Sequence, residues 1–295
     1  MPALSLADFA RYLRCPVCAA VVSAGGGRVT CVRGHSFDIA RQGYVTLVAG
    51  GGPRVTGDSA AMVMARAAFL GGGFYRPVAS AVAELAVRLG LPAGLVVDLA
   101  GGTGYYLAHV LDALPSSWGA SLDLSAAALR RAARAHPRAV ALGADAWRPL
   151  PLVDGSAALV LSVFGPRNAA ETRRVLAPGG ALIVASPGPD HHRELRPALG
   201  LIGIDERKAD RLADAYRDFT AGPVTPVRYQ LRLSHPDLTA LVAMGPSARH
   251  LSPDELATRV AAQPDPVPVT VDVQVRSYLR KAESRDPARG TPLRE

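Results

Sequence analysis

From Leu95 onward the chain alternates short apolar runs with helix-like segments, and this order limits the fold more than any other feature. Leu95–Ala100, Trp118–Asp123, Ala139–Gly143, Ala157–Phe164 and Gly180–Ser186 read as strands. Between them Tyr105–Leu114, Ser125–His136 and Asn168–Leu176 read as helices, with Ser125 placed as an N-cap. Such a β-α-β-α order predicts an α/β fold, a parallel sheet with helices on both faces. Residues 58–90 look helical in two pieces, broken at Gly71-Gly72-Gly73. A helix-like segment, Asp205–Phe219, and two strand candidates, Val224–Leu233 and Val267–Val275, follow the alternation.

The first strand ends in Val96-Val97-Asp98-Leu99-Ala100-Gly101-Gly102-Thr103-Gly104. Glycines let a backbone turn sharply and approach a ligand closely. Dinucleotide enzymes use such a turn too, but the G-x-G-x-x-G spacing is absent. Acids at successive strand ends favour S-adenosylmethionine. Asp98 can meet its amino group. Asp123, 19 residues past Gly104, can take both ribose hydroxyls, and Asp145 lies where the adenine amino group would be. The alternative for Asp123 and Asp145 is a solvated cap.

Residues 1–50 differ in kind. They hold all three cysteines and short β-like runs at Arg28–Cys31 and Tyr44–Val48. Cys15 and Cys18 form one close pair and Cys31 and His35 a second, a spacing that can close on one tetrahedral zinc ion. The alternatives are buried free thiols or a redox Cys-x-x-Cys, and the latter would need a thioredoxin-like unit, which the surrounding sequence lacks. Three cysteines and a histidine leave no open coordination position, so the role would be structural. Residues 51–57 read as a linker, 58–280 as the catalytic domain and 281–295 as a polar, disordered tail.

The formal charge is +8. Only Lys208 and Lys281 are lysines, so nearly all of the basicity is arginine. A surface of this kind attracts polyanions, although an Ala/Gly/Pro-rich composition can also carry arginine without functional demand. The longest apolar stretch, Val78–Ala100, is interrupted by Glu84 and Arg88, so no membrane span is expected. The start of the chain lacks a signal-peptide pattern, and a cytoplasmic protein is expected.

Together these motifs resemble a known family. The D-L-A-G-G-T-G loop, the turn Leu176-Ala-Pro-Gly-Gly180 and the strand order are similar to class I (Rossmann-like) methyltransferases. The zinc motif continued to Val45, G-D-S-A-A-M-V-M-A-R from Gly57, F-Y-R-P from Phe74 and S-P-G-P-D-H from Ser186 resemble ribosomal RNA guanine-N1 methyltransferases. R-Y-L-R-C-P from Arg11, S-V-F-G-P-R-N from Ser162 and V-A-M-G-P-S from Val242 resemble the branch that includes tylosin- and mycinamicin-resistance enzymes. The resemblance covers residues 11 to about 275. One departure is Ala100, where many relatives carry glycine.

That resemblance implies S-adenosylmethionine and Zn2+ as cofactors and a stem-loop of 23S ribosomal RNA, near the peptide exit tunnel, as substrate. A homodimer stays open. It also implies Tyr75, Gly102, Thr103 and His191 as cofactor contacts and Cys15, Cys18, Cys31 and His35 as zinc ligands. In the loop Gly165-Pro-Arg-Asn168, Asn168 can meet the guanine edge or cap a helix, and Arg167 can stack on the base or hold phosphate. His191 can contact the cofactor or accept a proton, whereas His192 reads as surface. Asp58 and Arg66 can belong to a lid or form an ordinary ion pair. The readings from other classes are a small-molecule methyltransferase of antibiotic synthesis and a non-catalytic RNA-binding protein.

Overall fold

The computed structural model describes residues 4–50, 57–199, 214–245 and 250–281. The linker residues 51–56, Asp205–Asp210 with their neighbours, and the tail beyond Lys281 lie outside them. The chain opens with a short helix, α1 (Leu6–Phe9), and a three-stranded antiparallel sheet, β1 (Val22–Gly25), β2 (Arg28–Cys31) and β3 (Ser36–Asp38). Gly26 and Gly27 carry φ of +58° and +76° between the paired ends Gly25 and Arg28, a hairpin turn that suits glycine.

A second sheet holds eight strands among the described residues. Its central strands are β5 (Leu95–Leu99), β6 (Trp118–Asp123), β7 (Ala139–Gly143), β8 (Ala157–Val163) and β9 (Leu176–Pro187), all parallel. The long β11 (Val267–Arg280) runs antiparallel beside β9, and β10 (Phe219–Leu233) pairs with β11 at the edge. The order β10-β11-β9-β8-β5-β6-β7 is the class I methyltransferase arrangement. Neighbouring connections leave β5 to opposite sides, so ligands gather at the carboxyl ends of β5, β6 and β8.

Between residues 60 and 175 the helices form where the sequence signals place them. The first is α2 (Ala60–Gly71), capped by Ser59, followed after the triple glycine by α3 (Arg76–Arg88). Then come α4 (Tyr105–Ala113), α5 (Ala126–Ala132), α6 (Ala169–Val175), α7 (Leu195–Leu199), α8 (His235–Ala243) and α9 (Pro253–Ala261). The helix expected over Ser125–His136 stops at Ala132. Pro137 disfavours helical backbone at His136, whose Nδ1 instead accepts the Arg138 N–H. The fifth parallel strand starts at Leu176 rather than Gly180. Ala157 pairs with Leu176 and Leu159 with Ala181, so the expected turn is held as a bulge in the ladder. Phe219, expected to end a helix, begins β10. No described helix is long and apolar enough to cross a membrane.

The first fifty residues do not pack as a separate body. The two-residue strand β4 (Val45–Thr46) pairs in parallel with Leu142 and Gly143 of β7 and becomes the edge of the large sheet. Leu13 forms an antiparallel bridge with Leu152. Phe9, Leu13, Val29 and Val45 join one buried cluster with Leu95, Leu122, Leu142 and Leu152. Arg14 closes the seam by pairing with Asp154, which Arg174 also holds at 2.5 Å. The opposite face of the sheet buries α3, α4 and α8 against β9 and β11.

Candidate active site and metal centre

The glycine-rich turn closes over β5 and β6. Ala100, Gly102 and Gly104 all have positive φ, at +53°, +58° and +79°. A Cβ on Gly101 would strike Ser121 Oγ and would come within 2.7 Å of Asp98 Oδ2, so this turn lies directly on the strand ends. Ala100 adopts a conformation that costs an L residue about 1 kcal/mol and a glycine almost nothing. Ala100→Gly is therefore expected to leave cofactor affinity unchanged and to change stability by no more than about +1 kcal/mol, since glycine's extra unfolded-state entropy offsets part of the relief. A thermal melt and a calorimetric titration check this.

Asp98 is buried and its Oδ2 has no hydrogen-bond partner. Burial first, and then the charge of Asp123, push its carboxyl up to about 8. Ser121 Oγ beside the same turn is likewise buried without a partner. An orphaned carboxylate oxygen is costly in an empty interior and suits an incoming ammonium. Asp123 ends β6. It accepts the N–H of Gly102 at 3.0 Å and of Ser125 at 2.8 Å, and each oxygen keeps a lone pair for a hydroxyl. Burial raises its pKa and those two N–H donors oppose the rise. Asp145 is buried rather than solvated and accepts the Trp147 N–H at 2.9 Å. Asp98, Asp123 and the turn Gly102-Thr103-Gly104 thus sit together, and these residues fit the ammonium and ribose of S-adenosylmethionine.

Two segments pack over the ends of β5 and β6. Gly57 packs so closely on the backbone of Leu124 and Ser125 that a Cβ would lie 2.5 Å from Ser125 N. Arg66 of α2 pairs with Asp58 at 2.5 Å, donates to Met244 O at 2.7 Å, and lies 3.4 Å from where a Cβ on Gly102 would be. The ion pair therefore stands beside the glycine loop, where Arg66 links α2 to the end of α8.

On the other side of β5, the ends of β8 and β9 carry an aromatic cluster. Tyr75 is buried at the start of α3, and its hydroxyl is 3.3 Å from His191 Nε2 and 2.9 Å from His192 Nε2. The Asp272 N–H donates to His191 Nδ1 at 3.3 Å. Neutral His191 therefore carries its proton on Nε2 and donates it to Tyr75, whose own hydroxyl proton points to His192. The two imidazoles stack with centroids 3.8 Å apart. His192, expected at the surface, is half-buried, and burial brings its pKa down to about 4.

Asn168 caps α6: its Oδ1 accepts the Glu171 N–H at 3.3 Å and its Nδ2 donates to Ala146 O at 3.2 Å. The guanidinium of Arg167 turns toward Tyr216 and Tyr278, where its charge opposes the burial-driven rise of both phenols. In the N-terminal sheet the ligand atoms of Cys15, Cys18, Cys31 and His35 all lie within 4.8 Å of one another. Cys18 Sγ is 3.4 Å from both Cys31 Sγ and His35 Nδ1, and Cys15 Sγ is 3.5 Å from that same nitrogen. A tetrahedral zinc with ordinary Zn–S and Zn–N bonds needs ligand edges of roughly 3.5–3.8 Å, so the set fits the ion.

The zinc-ribbon family model described as "RlmA, N-terminal" matches residues 13–49. A Streptomyces fradiae 23S rRNA (guanine(748)-N(1))-methyltransferase is 48% identical over 267 residues, 89% of this chain and 95% of its own length. The chain belongs to the 23S rRNA guanine-N1 methyltransferase family. A Micromonospora griseorubida protein assigned to the same activity is 46% identical over 290 residues, 92% of this chain and 98% of its own. A Bacillus subtilis relative is 30% identical and spans 91% and 97%. As a guanine-N1 methyltransferase relative, the chain is an S-adenosylmethionine-dependent, zinc-ribbon enzyme.

Sequence reasoning missed one organiser of this methyltransferase site. Asp272 of β11 accepts the Asp190 N–H at 3.0 Å, and its backbone C=O accepts the Gly188 N–H at 2.8 Å. A Cβ on Gly188 would lie 2.5 Å from Asp272 Oδ2. Together with Arg228, 2.6 Å from Asp190, it shapes the loop that presents His191. The signal was there: a lone carboxylate in the run Val269-Thr-Val-Asp-Val273, in a strand buried on both faces.

Proposed function

We propose that this chain moves a methyl group from S-adenosylmethionine to N1 of a guanine in a 23S rRNA stem-loop near the peptide exit tunnel, in the cytoplasm. The modification gives resistance to tylosin- or mycinamicin-type macrolides. The carrying observation is that this chain combines a cofactor-shaped turn, with its orphaned Asp98, and a zinc-ligand set, and matches 23S rRNA guanine-N1 methyltransferases almost end to end.

Bound S-adenosylmethionine supplies an electrophilic methyl. Asp98 holds the ammonium, Asp123 the ribose hydroxyls and Asp145 the adenine edge, while the backbone of Gly102, Thr103 and Gly104 closes around them. Guanine N1 carries a proton at neutral pH, and its lone pair becomes available as that proton leaves. Every donor in the His191–Tyr75–His192 chain points toward His192. His191 therefore orients Tyr75. The Tyr75 oxygen takes the N1 proton as its own moves to His192 Nε2, and the half-buried His192, too weak a base to keep the proton, passes it on to solvent. Asn168 retains one N–H and one lone pair beyond its capping bonds, a pairing that matches a guanine edge.

The first fifty residues form the RNA dock in this reading. Arg14 is committed to Asp154, and Arg28 pairs with Asp38 on the surface, but Arg28, Arg33 and Arg41 are exposed. Arg54 lies outside the described residues. Replacing Arg28, Arg33 and Arg41 with Glu is expected to abolish transfer to the isolated stem-loop while cofactor affinity stays unchanged. Each phosphate that is no longer neutralised also flattens the log–log salt dependence of RNA binding by about 0.7–0.9. Unchanged transfer with an unchanged slope means that RNA docks elsewhere. Nucleoside analysis of large-subunit RNA from cells with and without the chain tests the reaction itself, and 1-methylguanosine that does not depend on the chain refutes it.

A further inference from the structure

Phe164, the residue that follows β8, has φ of +53°. A bulky residue in the left-handed region is a true outlier, and such strain persists only where the surroundings hold it. Here they do: its N–H donates to Ala185 O at 2.9 Å, and a Cβ on the next residue, Gly165, would lie 2.8 Å from Leu99 O. The Phe164–Gly165 backbone is thus pressed onto the start of the glycine-rich turn. Among the described residues three of the four non-glycine positions with positive φ are Ala100, Phe164 and His192. They follow β5, β8 and β9, three adjacent strands, at the edge where the reaction is placed.

The ring is not used as core. It borders Tyr75 at 5.9 Å and Tyr106 at 6.3 Å, and it lies nearly parallel to His191, with centroids 6.0 Å apart and planes at 26°. Yet 40% of the residue stays exposed, beside the buried Tyr75 and Tyr106. An aromatic face held out of the core, next to the cofactor turn and the Tyr75 hydroxyl, suits a flat ring that arrives from solvent. Enzymes that act on a base inside a stem must take it out of its stack and hold it against aromatic or apolar side chains.

We propose that Phe164 is the stacking platform for the target guanine, holding the extruded base so that N1 faces the cofactor turn and Tyr75. This rests on the RNA-methylation reading above. Removing base–aromatic stacking by truncation lowers binding by roughly 10- to 100-fold, so Phe164→Ala and Phe164→Leu should reduce kcat/KM for the stem-loop by about that factor. Phe164→Tyr, which keeps the ring, should stay within about threefold of the unaltered protein. S-adenosylhomocysteine affinity, read by calorimetry, should be unchanged in all three, as should the melting temperature of Phe164→Leu, which keeps an apolar side chain at the same backbone angle. Leucine that works as well as phenylalanine overturns the proposal, because an apolar wedge then suffices. A parallel loss of S-adenosylhomocysteine affinity overturns it too, because the ring then packs on the cofactor. If the unaltered protein makes no 1-methylguanosine in the stem-loop, the parent reading has failed instead.

Discussion

Stripping zinc with a chelator, or replacing Cys31 with Ala, is expected to destabilise the whole described fold and not merely its first fifty residues. Cys31 is buried, and its sulfur stands within 4.8 Å of the other three ligand atoms. Without the ion, three sulfurs and an imidazole are left crowded together with no bond to hold them. Structural zinc contributes on the order of 10 kcal/mol to small domains of this type, comparable with the entire stability of a folded protein. In an independent module that loss would stay local. Here Val45 and Thr46 are paired with β7, and Phe9, Leu13 and Val29 share a core with Leu95, Leu122 and Leu142. The expected result is one melting transition that shifts by tens of degrees, with cofactor binding weakened in parallel. Elemental analysis should find one zinc per chain. Two separate transitions, with only the first sensitive to chelator, would show that the ribbon folds alone.

Asp98→Asn is expected to raise stability at pH 7 while it weakens the cofactor complex. The sign follows from the raised carboxyl. Its folded pKa of about 8 lies above the unfolded value of about 3.9, so between those limits the folded state binds a proton that the unfolded chain has lost. Stability contributed by this group is therefore full below about pH 4 and declines as pH rises toward 8. At pH 7 the decline amounts to about 4 kcal/mol, which the neutral amide avoids. Cofactor binding runs the other way. An ammonium partner needs the carboxylate, so affinity should climb by up to tenfold per pH unit and level off above about pH 8. The amide of the Asp98→Asn variant removes that dependence and costs about 2–3 kcal/mol of binding, the usual value of a hydrogen bond to a charged group. Calorimetry in buffers of different ionisation enthalpy should record nearly one proton released per cofactor bound at pH 7. No proton release and a flat pH profile would mean that Asp98 does not meet the ammonium.

Much of the architecture was legible because its signals are local. The strand–helix alternation, the triple glycine between α2 and α3, the Ser125 cap and the Cys/His spacing each act within a few residues. Periodicity and capping chemistry report such features directly. Boundaries moved where a neighbour intervened: Pro137 ended α5 early, and the bulge opposite Ala157 and Leu159 drew Leu176 into β9. Two nine-residue helices, α8 and α9, are short for a periodic signal, although Ser252 and Glu255 form a capping box at the second.

The candidate site divides along the same line. Asp98, Asp123, the glycine turn and the four zinc ligands could be picked out by residue type and spacing, because each ligand group needs a particular donor at a particular strand end. The proton on His191 could not be placed, since it depends on an amide of Asp272, 81 residues away. Nor could the burial of His192, the exposed face of Phe164, or the attachment of β4 to β7, nearly a hundred residues on. Those depend on which distant strands become neighbours. Sequence by itself determined the fold class and the chemistry of the two ligand sets. Only tertiary packing decided which groups were desolvated, which way their protons point, and that the zinc ribbon and the catalytic sheet share one core.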